Sequence, residues 1–558
     1  MKKCLLCVLF LSTFFSCIKH EDAYVEGDDS AKKKEEYDKG FPVKDIDPKQ
    51  DWNLAEQFIV NVSVNYGGDG EYTIKIYSDN PRNADVKAYL LGEYTVKDGS
   101  TNALPVDGLS SFESVYVCCV DAANGYVMKE GAVKDGKTTV AFGAMSNRAV
   151  SKGVAPRVAG DWKEFDAKDI YELVKPGDGI FRENHKPSDP SSVMNSYELV
   201  STGKFTVYAV YGESTNHDEY GYYYYDLQTD PTGKSRKYEK LLETNGNTVD
   251  FLSYQKKNSE EWMPWNFSPS SNNANVIGES EKISSKPYTI NVTSGYRIGF
   301  YIRNWTMYDD IYFYSNKAFN YNLGIEMSAV INNNNIPTYV GLEDNPAIGG
   351  VGDFDCNDII FYIAPGEYED IPEVIDPEEP VEKEPMSWII ACEDLGSVGD
   401  YDFNDVVFSV SHVSGGNTAV VTPLAAGGTL PAKILYGGKE IGEIHALLGG
   451  SNTSTMINTS NWGKAGTPIT ITVGADFTMS SSNMGGFSLK IGDGTATITA
   501  PGQGEAPQMI CVPGNWAWPT ERTSIVSAYS KFGEWGANYG TSKDWWQKPT
   551  GNVIKRNN

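Results

Sequence analysis

Twice along this chain a cluster of acids runs straight into an apolar stretch: Asp353-Phe-Asp355-Cys-Asn357-Asp358 precedes Ile359 to Ile363, and Asp400-Tyr-Asp402-Phe-Asn404-Asp405 precedes Val406 to Val410. An acidic pair comes before each copy, Glu343-Asp344 and Glu393-Asp394. So many carboxylates cannot enter a core or crowd together without a counter-charge. Two unit charges about 4 Å apart repel by roughly 4 kcal/mol at an effective dielectric of 20. Oxygen side chains at alternate positions of a tight loop can converge on one point, and Ca2+ takes about six to eight oxygens. The spacing predicts one ion held by Glu343, Asp344, Asp353, Asp355, Asn357 and Asp358, and another by Glu393, Asp394, Asp400, Asp402, Asn404 and Asp405. The motif is not an EF-hand: no glycine fills its sixth position, Ala364 and Ser411 stand where a closing glutamate would be, and a strand rather than a helix follows. The alternative is a pair of Asx-turns with solvated carboxylates and no metal.

Short segments of period two recur elsewhere, as in Phe58, Val60, Val62, Val64 and Tyr72, Ile74, Ile76. They predict a mainly β, multidomain chain of tandem β-sandwiches. The first domain is expected over 51–150, an irregular linker over 151–195, and a second sandwich over 196–365, with a surface loop at Ser268 to Lys286. Spaced prolines and like charges predict an extended linker over 366–385. A third domain fills 386–558, with one short helix between Thr520 and Trp535 that presents Ile525, Ala528, Tyr529 and Phe532 and stops at Gly533 and Gly536.

The N-terminus reads as an export signal over 1–17: Lys2 and Lys3, an apolar core from Leu5 to Phe15, Ser16, then Cys17 as a lipid acceptor. That core is too short to span a bilayer. The expectation is a membrane anchor through acyl chains on Cys17, an outer-membrane and surface location, and a solvated acidic tether over 18–50. With 74 acidic against 47 basic residues, the net charge of −27 repels nucleic acid and favours divalent cations. Export permits a disulfide between Cys392 and Cys511, worth about 4 kcal/mol in the chain-entropy model. Cys118 and Cys119, in an apolar run, are expected to be buried free thiols.

Several signals point to chemistry that the context denies. Gly131-Ala-Val-Lys-Asp-Gly136-Lys137-Thr138 spells a phosphate loop, but a strand rather than a helix follows, so Asp135-Gly136 is read as a hairpin turn and no nucleotide is expected. The five histidines have no zinc-helix spacing, and no nucleophile elbow is present. His445 is read as a packed or capping residue. No catalytic residue is assigned, and the chain is read as not an enzyme. Tyr222 to Tyr225 and the tryptophans 516, 518, 535, 545 and 546 are core candidates, with Trp545 and Trp546 a possible sugar-stacking pair.

The third domain resembles the LruC domain family of bacterial surface lipoproteins. The resemblance is carried by Ala391-Cys-Glu-Asp-Leu-Gly396, the Asp400 to Phe408 motif, Ala425 to Pro431, Glu443-Ile-His445, Met456 to Thr459, Cys511-Val-Pro, Trp518-Pro-Thr-Glu and Phe532-Gly-Glu-Trp535. The second domain is similar to a module of unknown function in large calcium-dependent bacterial adhesins, through Gly299 to Asn304, Tyr314-Ser-Asn316, Gly341 to Asp344 and Asp353 to Phe361. Cys356 stands there in place of the more usual aromatic. These resemblances imply calcium-supported surface display or ligand binding, without a known reaction or ligand. The expected partner is an extracellular protein or glycan. Three functional readings follow: adhesion or ligand capture, a glycan-binding accessory of a nutrient uptake system, and an enzyme with an unrecognised site near Asp161 to Asn195.

Overall fold

The alternating residues of the first domain bury one face of each strand: Phe58, Val60, Val62 and Val64 are all sealed from solvent, as are Ile74 and Ile76. In a computed structural model, which describes residues 29–143, 162–189, 192–214, 216–245, 247–267, 273–305, 310–320, 325–333, 336–345, 353–364, 372–395, 399–492 and 496–556, the chain is mainly β and built as several modules. Cys17 lies outside these residues. Among them, no helix is long and apolar enough to cross a membrane.

In the first module β1 (Glu56–Asn65) lies between β4 (Ser100–Gly108) and β7 (Lys137–Gly143). A second sheet runs β3 (Leu90–Lys97), β2 (Glu71–Tyr77), β5 (Ser114–Val120), β6 (Tyr126–Ala132). In the third module one sheet runs β29 (Ile469–Thr472), β26 (Thr418–Ala425), β25 (Val406–His412), β24 (Ser387–Cys392), β32 (Met509–Pro513), and the other β28 (Lys439–Glu443), β27 (Ala432–Tyr436), β30 (Phe487–Ile491), β31 (Ala496–Ile498). In the second module one sheet runs β17 (Pro287–Asn291), β11 (Lys204–Gly212), β22 (Ile359–Ala364), β21 (Ile336–Leu342), β20 (Ser328–Asn333), β9 (Val193–Met194). Its companion runs β13 (Lys237–Asn245), β12 (His217–Tyr225), β18 (Arg297–Asn304), β10 (Glu198–Val200), β23 (Glu373–Ile375), with β19 (Ile311–Tyr314) also on β18.

The second and third modules are one fold, circularly permuted. Number β24 to β32 from first to ninth: the third module's sheets then read 6-3-2-1-9 and 5-4-7-8. The second module gives the same two orders when β21 and β22 are first and second and β11, β12, β13, β17, β18, β19 and β20 are third to ninth. Every matched pair is antiparallel in both. In the second module a hairpin joins β20 to β21, whereas β32 and β24 stand at opposite ends of the third module's sequence. Between its fifth and sixth strands the second module inserts β14 (Thr248–Lys256), β15 (Trp262–Asn266) and β16 (Ser280–Ser285), which form a small sheet with β8 (Lys163–Asp166).

Several segments expected to be irregular are structured. Within 151–195, β8 is followed by α2 (Ala167–Val174), capped by Asp166 and buried through Ile170 and Val174. The loop expected at Ser268 to Lys286 contains α3 (Asn273–Gly278) and β16. The 366–385 linker is not free: β23 completes a sheet of the second module, Asp376 bridges to Tyr126, and Pro385 bridges to Leu90 of the first. Its Glu373 accepts from Tyr66 Oη (2.8 Å) and from Lys129. The expected C-terminal helix is two shorter ones, α5 (Ile525–Ala528) and α6 (Phe532–Ala537), broken at Tyr529, which is extended; Gly533 and Gly536 lie inside α6 instead of ending a helix.

The largest difference concerns the tether. α1 (Asp29–Gly40) and the residues after it dock into the third module, because Tyr37, Phe41, Val43, Trp52 and Leu54 supply an apolar set within the charged stretch and at the start of the first module. Tyr37 Oη donates to Pro507 O (2.7 Å), Gln50 Nε2 to Trp535 O (2.6 Å) and Trp52 Nε1 to Glu505 O (2.7 Å). Leu54 N donates to Cys511 O (3.0 Å), and Cys511 N to Trp52 O (3.1 Å). The first and third modules therefore share one continuous core. First and second are joined by Arg297, 2 % exposed, which pairs with Asp121 and with Glu198 (3.2 Å).

Candidate functional site

Both acidic loops have the same backbone device. Phe354 (φ 59°) and Cys356 (φ 56°), like Tyr401 (φ 52°) and Phe403 (φ 54°), are left-handed. Each such non-glycine residue costs roughly 1–2 kcal/mol. The alternation turns successive acids toward one side while Cys356 and Phe403 enter the core. Strain of this kind persists where the surroundings enforce it. The enforcing bonds are duplicated: Cys356 N donates to Glu343 Oε2 (3.4 Å), and Phe403 N to Glu393 Oε1. Asn357 N and Asn404 N each donate to the Oδ1 of the Asp two residues before, at 3.2 Å. Asp344 N donates to Asp358 Oδ2 (2.6 Å), and Asp394 N to Asp405 Oδ2 (2.8 Å).

A remote segment completes each loop. In the third module Arg522 N donates to Asp402 Oδ2 (2.8 Å) and Pro519 O accepts from Asn404 Nδ2 (3.3 Å). In the second, Asn184 N donates to Asp355 Oδ2 (2.9 Å) and Phe181 O accepts from Asn357 Nδ2 (3.4 Å). Asn184 and Arg522 are both left-handed, and each follows a glutamate, Glu183 or Glu521. This segment follows β32 in the third module. In the permuted second module β20 runs directly into β21, and a stretch after α2 takes the same place.

Three carboxylate groups bring their oxygens within 4.8 Å of one another: Glu393, Asp400 and Asp402; Glu183, Asp353 and Asp355; and Glu343, Asp344 and Asp358. The sequence expected Glu343, Asp344 and Asp358 to share one centre with Asp353 and Asp355. Instead Glu183 closes the loop group, and the other three form a neighbouring one. Asn357 and Asn404 anchor the loops by donating their amide nitrogens to backbone carbonyls, and Asn357 Nδ2 also donates to Glu183 Oε2 (3.4 Å). Asp394 and Asp405 lie beside the Glu393 group and are joined through the Asp394 amide. Among the described residues no lysine or arginine forms an ion pair with any of the nine grouped carboxylates.

Burial, reinforced by neighbouring carboxylates, pushes Asp355 and Asp402 up to about 8. The same causes, in the same order, raise Glu343, Asp358, Glu393 and Asp405 well above the usual carboxylate range. At neutral pH such groups hold protons unless a cation takes their place. A hard divalent ion fits the donor set, since every side chain offered is an oxygen ligand. Glu183 and Glu521 escaped the sequence reading because nothing near them repeats the motif.

Other expected features resolve differently. Cys392 and Cys511 are free and buried. Cys392 sits opposite Met509 and Cys511 opposite Ile390, so the two are diagonal neighbours, typically about 7–8 Å apart and beyond disulfide reach. Trp545 is 1 % and Trp546 8 % exposed. Trp545 packs on Trp535, Phe532, Tyr529 and Trp516, which rules out an open sugar platform. Trp546 lines a cleft of about 430 Å3 between the first and third modules, together with Tyr89, Phe112 and Tyr116. Tyr222, Tyr223 and Tyr225 are buried. Asp135-Gly136 is a turn with both residues at positive φ, followed by β7. His445 bonds Glu443 through Nδ1 (2.7 Å) and Gly428 O through Nε2 (3.0 Å), a packed role.

A family profile described as a domain of unknown function, DUF4842, matches residues 501–546, the stretch holding β32, Glu521 and α6. No curated protein matches the chain. A solved structure of Streptomyces avermitilis alpha-L-rhamnosidase complexed with L-rhamnose aligns at 10 % identity over 85 % of this chain and 42 % of that one, with a TM-score of 0.10. The chain thus spans less than half of that enzyme, and the likeness is too low to bear on fold or function.

Proposed function

We propose that this protein is an exported lipoprotein, anchored through Cys17 to the outer membrane and displayed at the cell surface, whose second and third modules bind Ca2+ at their acidic loops and act in adhesion or ligand capture. The observation that carries the metal reading is duplication under permutation: two modules with rearranged strand order keep the same strained loop and three matched buried acids, Glu343, Asp344 and Asp355 in one and Glu393, Asp394 and Asp402 in the other, with a glutamate next to each loop, Glu183 or Glu521, brought in from a different part of the chain. A fold that needed only turns there would not retain several raised carboxyls in both copies. The ion would lie among Glu393, Asp400 and Asp402 in one module and Glu183, Asp353 and Asp355 in the other, with Glu521 beside the first. It would supply cohesion to loops that otherwise repel themselves, and so fix the sheet ends they border. The resemblance of residues 386–546 to the LruC family supports the surface assignment. The role is binding and not catalysis, with an extracellular protein as the favoured partner because Trp545 is packed inside and Trp546, 8 % exposed on the wall of a cleft, offers no open face for a sugar ring.

The test is a thermal melt of the whole exported chain, because the third module's core includes residues 37–54 and is incomplete alone. Binding to the folded state at ten times Kd contributes roughly 1.4 kcal/mol per site, and extracellular calcium modules bind at about 10⁻⁴ to 10⁻³ M. Millimolar calcium should therefore raise the midpoint over that in chelator. Equal midpoints, with no ion recovered from the purified protein, would refute the metal reading.

A further inference from the structure

Beside the off-loop carboxylate group of the second module stands a further acid that no motif reveals, tied to Asp344 through Ser214. Asp218, at the start of β12, is fully buried. Ser214 Oγ lies 2.7 Å from its Oδ2 and also hydrogen-bonds Asp344 Oδ2. One hydroxyl carries one proton; Tyr220 Oη also donates to Asp218 Oδ2 (3.3 Å) and Asn216 Nδ2 to Asp344 Oδ2 (2.9 Å), but these donors are neutral, so a further proton or a bound cation must balance the two carboxylates. Asp218 Oδ1 is buried and has no hydrogen-bond partner among the described residues, a costly state for a carboxylate oxygen. Asp344 in turn groups with Glu343 and Asp358.

The permuted copy provides an internal comparison. Glu213 N donates to Asp358 O (3.1 Å) as Gly427 N does to Asp405 O (3.0 Å). Counting from that shared bond, Ser214 aligns with Gly428 and Asp218 with Ala432. The third module therefore lacks both the hydroxyl and the fourth acid, and its β27 begins with a methyl group where β12 offers a carboxylate.

We infer that the second module holds a second divalent-cation site, formed by Glu343, Asp344, Asp358 and Asp218, beside the loop site of Glu183, Asp353 and Asp355, whereas the third module holds one ion only. This rests on the calcium reading above and extends it to an uneven count of three ions per chain. Asp218 acts there as a ligand, and Ser214 positions the two aspartates.

Calcium bound to the full exported chain is counted by native mass spectrometry and by equilibrium dialysis. Three ions are expected for the unaltered protein, two for Asp218→Asn, and one for the double variant Asp218→Asn with Asp402→Asn. Two ions on the unaltered protein, or an unchanged count in folded Asp218→Asn, would overturn the second site while leaving the loop sites standing. No bound ion at all would overturn both. Should Asp218→Asn fail to fold, the count on the unaltered protein decides alone.

Discussion

Replacing Phe41 with alanine tests whether the stretch after the acidic segment belongs to the third module's core. Phe41 is fully buried and its ring lies 6.0 Å from Tyr37, 5.6 Å from Trp52 and 5.8 Å from Tyr401. Truncating a buried Phe costs about 3–5 kcal/mol. A value near 4 kcal/mol corresponds to a fall of roughly 8–16 °C in the midpoint for a unit of about 150–250 residues. Tyr401 belongs to the acidic loop, and its Oη donates to Tyr37 O at 3.3 Å, so the variant should also bind calcium more weakly at Asp400 and Asp402. The assay is tryptophan fluorescence during heating at fixed calcium, with exposed Glu36→Ala as control, which should change stability by no more than about 0.5 kcal/mol. If Phe41→Ala melts within about 2 °C of that control, the segment is not part of the core and the packing argument fails.

Two further outcomes are expected. The raised carboxyls of the acidic groups bind protons in the folded state that the unfolded chain has released, so between about pH 4 and about pH 8 the cation-free protein should lose stability as pH rises. Calcium should flatten that slope, and chelated melts at pH 5.5 and 8 that are equal, or that rise with pH, would contradict the assignment. Arg297→Ala leaves Glu198 buried at 1 % exposure without its partner and should cost about 3–5 kcal/mol in urea unfolding; a loss below about 1 kcal/mol would mean that the charge network does not join the first two modules.

Much of the architecture was legible locally. The period-two pattern at Phe58 to Val64 marks β1, and the acidic motifs mark the starts of β22 and β25, because both signals are written over adjacent residues. What escaped depends on distant partners. Glu183 and Glu521 look like ordinary surface acids until the permuted connections bring them to the loops, and Asp218 sits in a strand of tyrosines with nothing to distinguish it. Tyr37, Phe41 and Trp52 lie in or just beyond a charged stretch whose average composition predicts solvation, yet a few aromatics with a waiting groove suffice to dock it. The 366–385 segment misleads in the same way, since Glu373 finds Lys129 and Tyr66 only after folding. Trp545 follows the last obvious strand and so reads as exposed, whereas Phe532 and Trp535 of α6, Tyr529 between the two helices and Trp516 of the loop after β32 enclose it.

The closure of residues 37–54 onto residues 505–535 sets an order of events for the newborn chain. Tyr37 and Pro507 are 470 positions apart and Gln50 and Trp535 are 485 apart, so the earliest structured residues wait for nearly the whole polypeptide to emerge. Contacts of such long range form slowly, and until they form the unpaired aromatics are a sticky surface. Maturation should thus end with a late, cooperative locking step in which the leading segment and the final module become protease-resistant together.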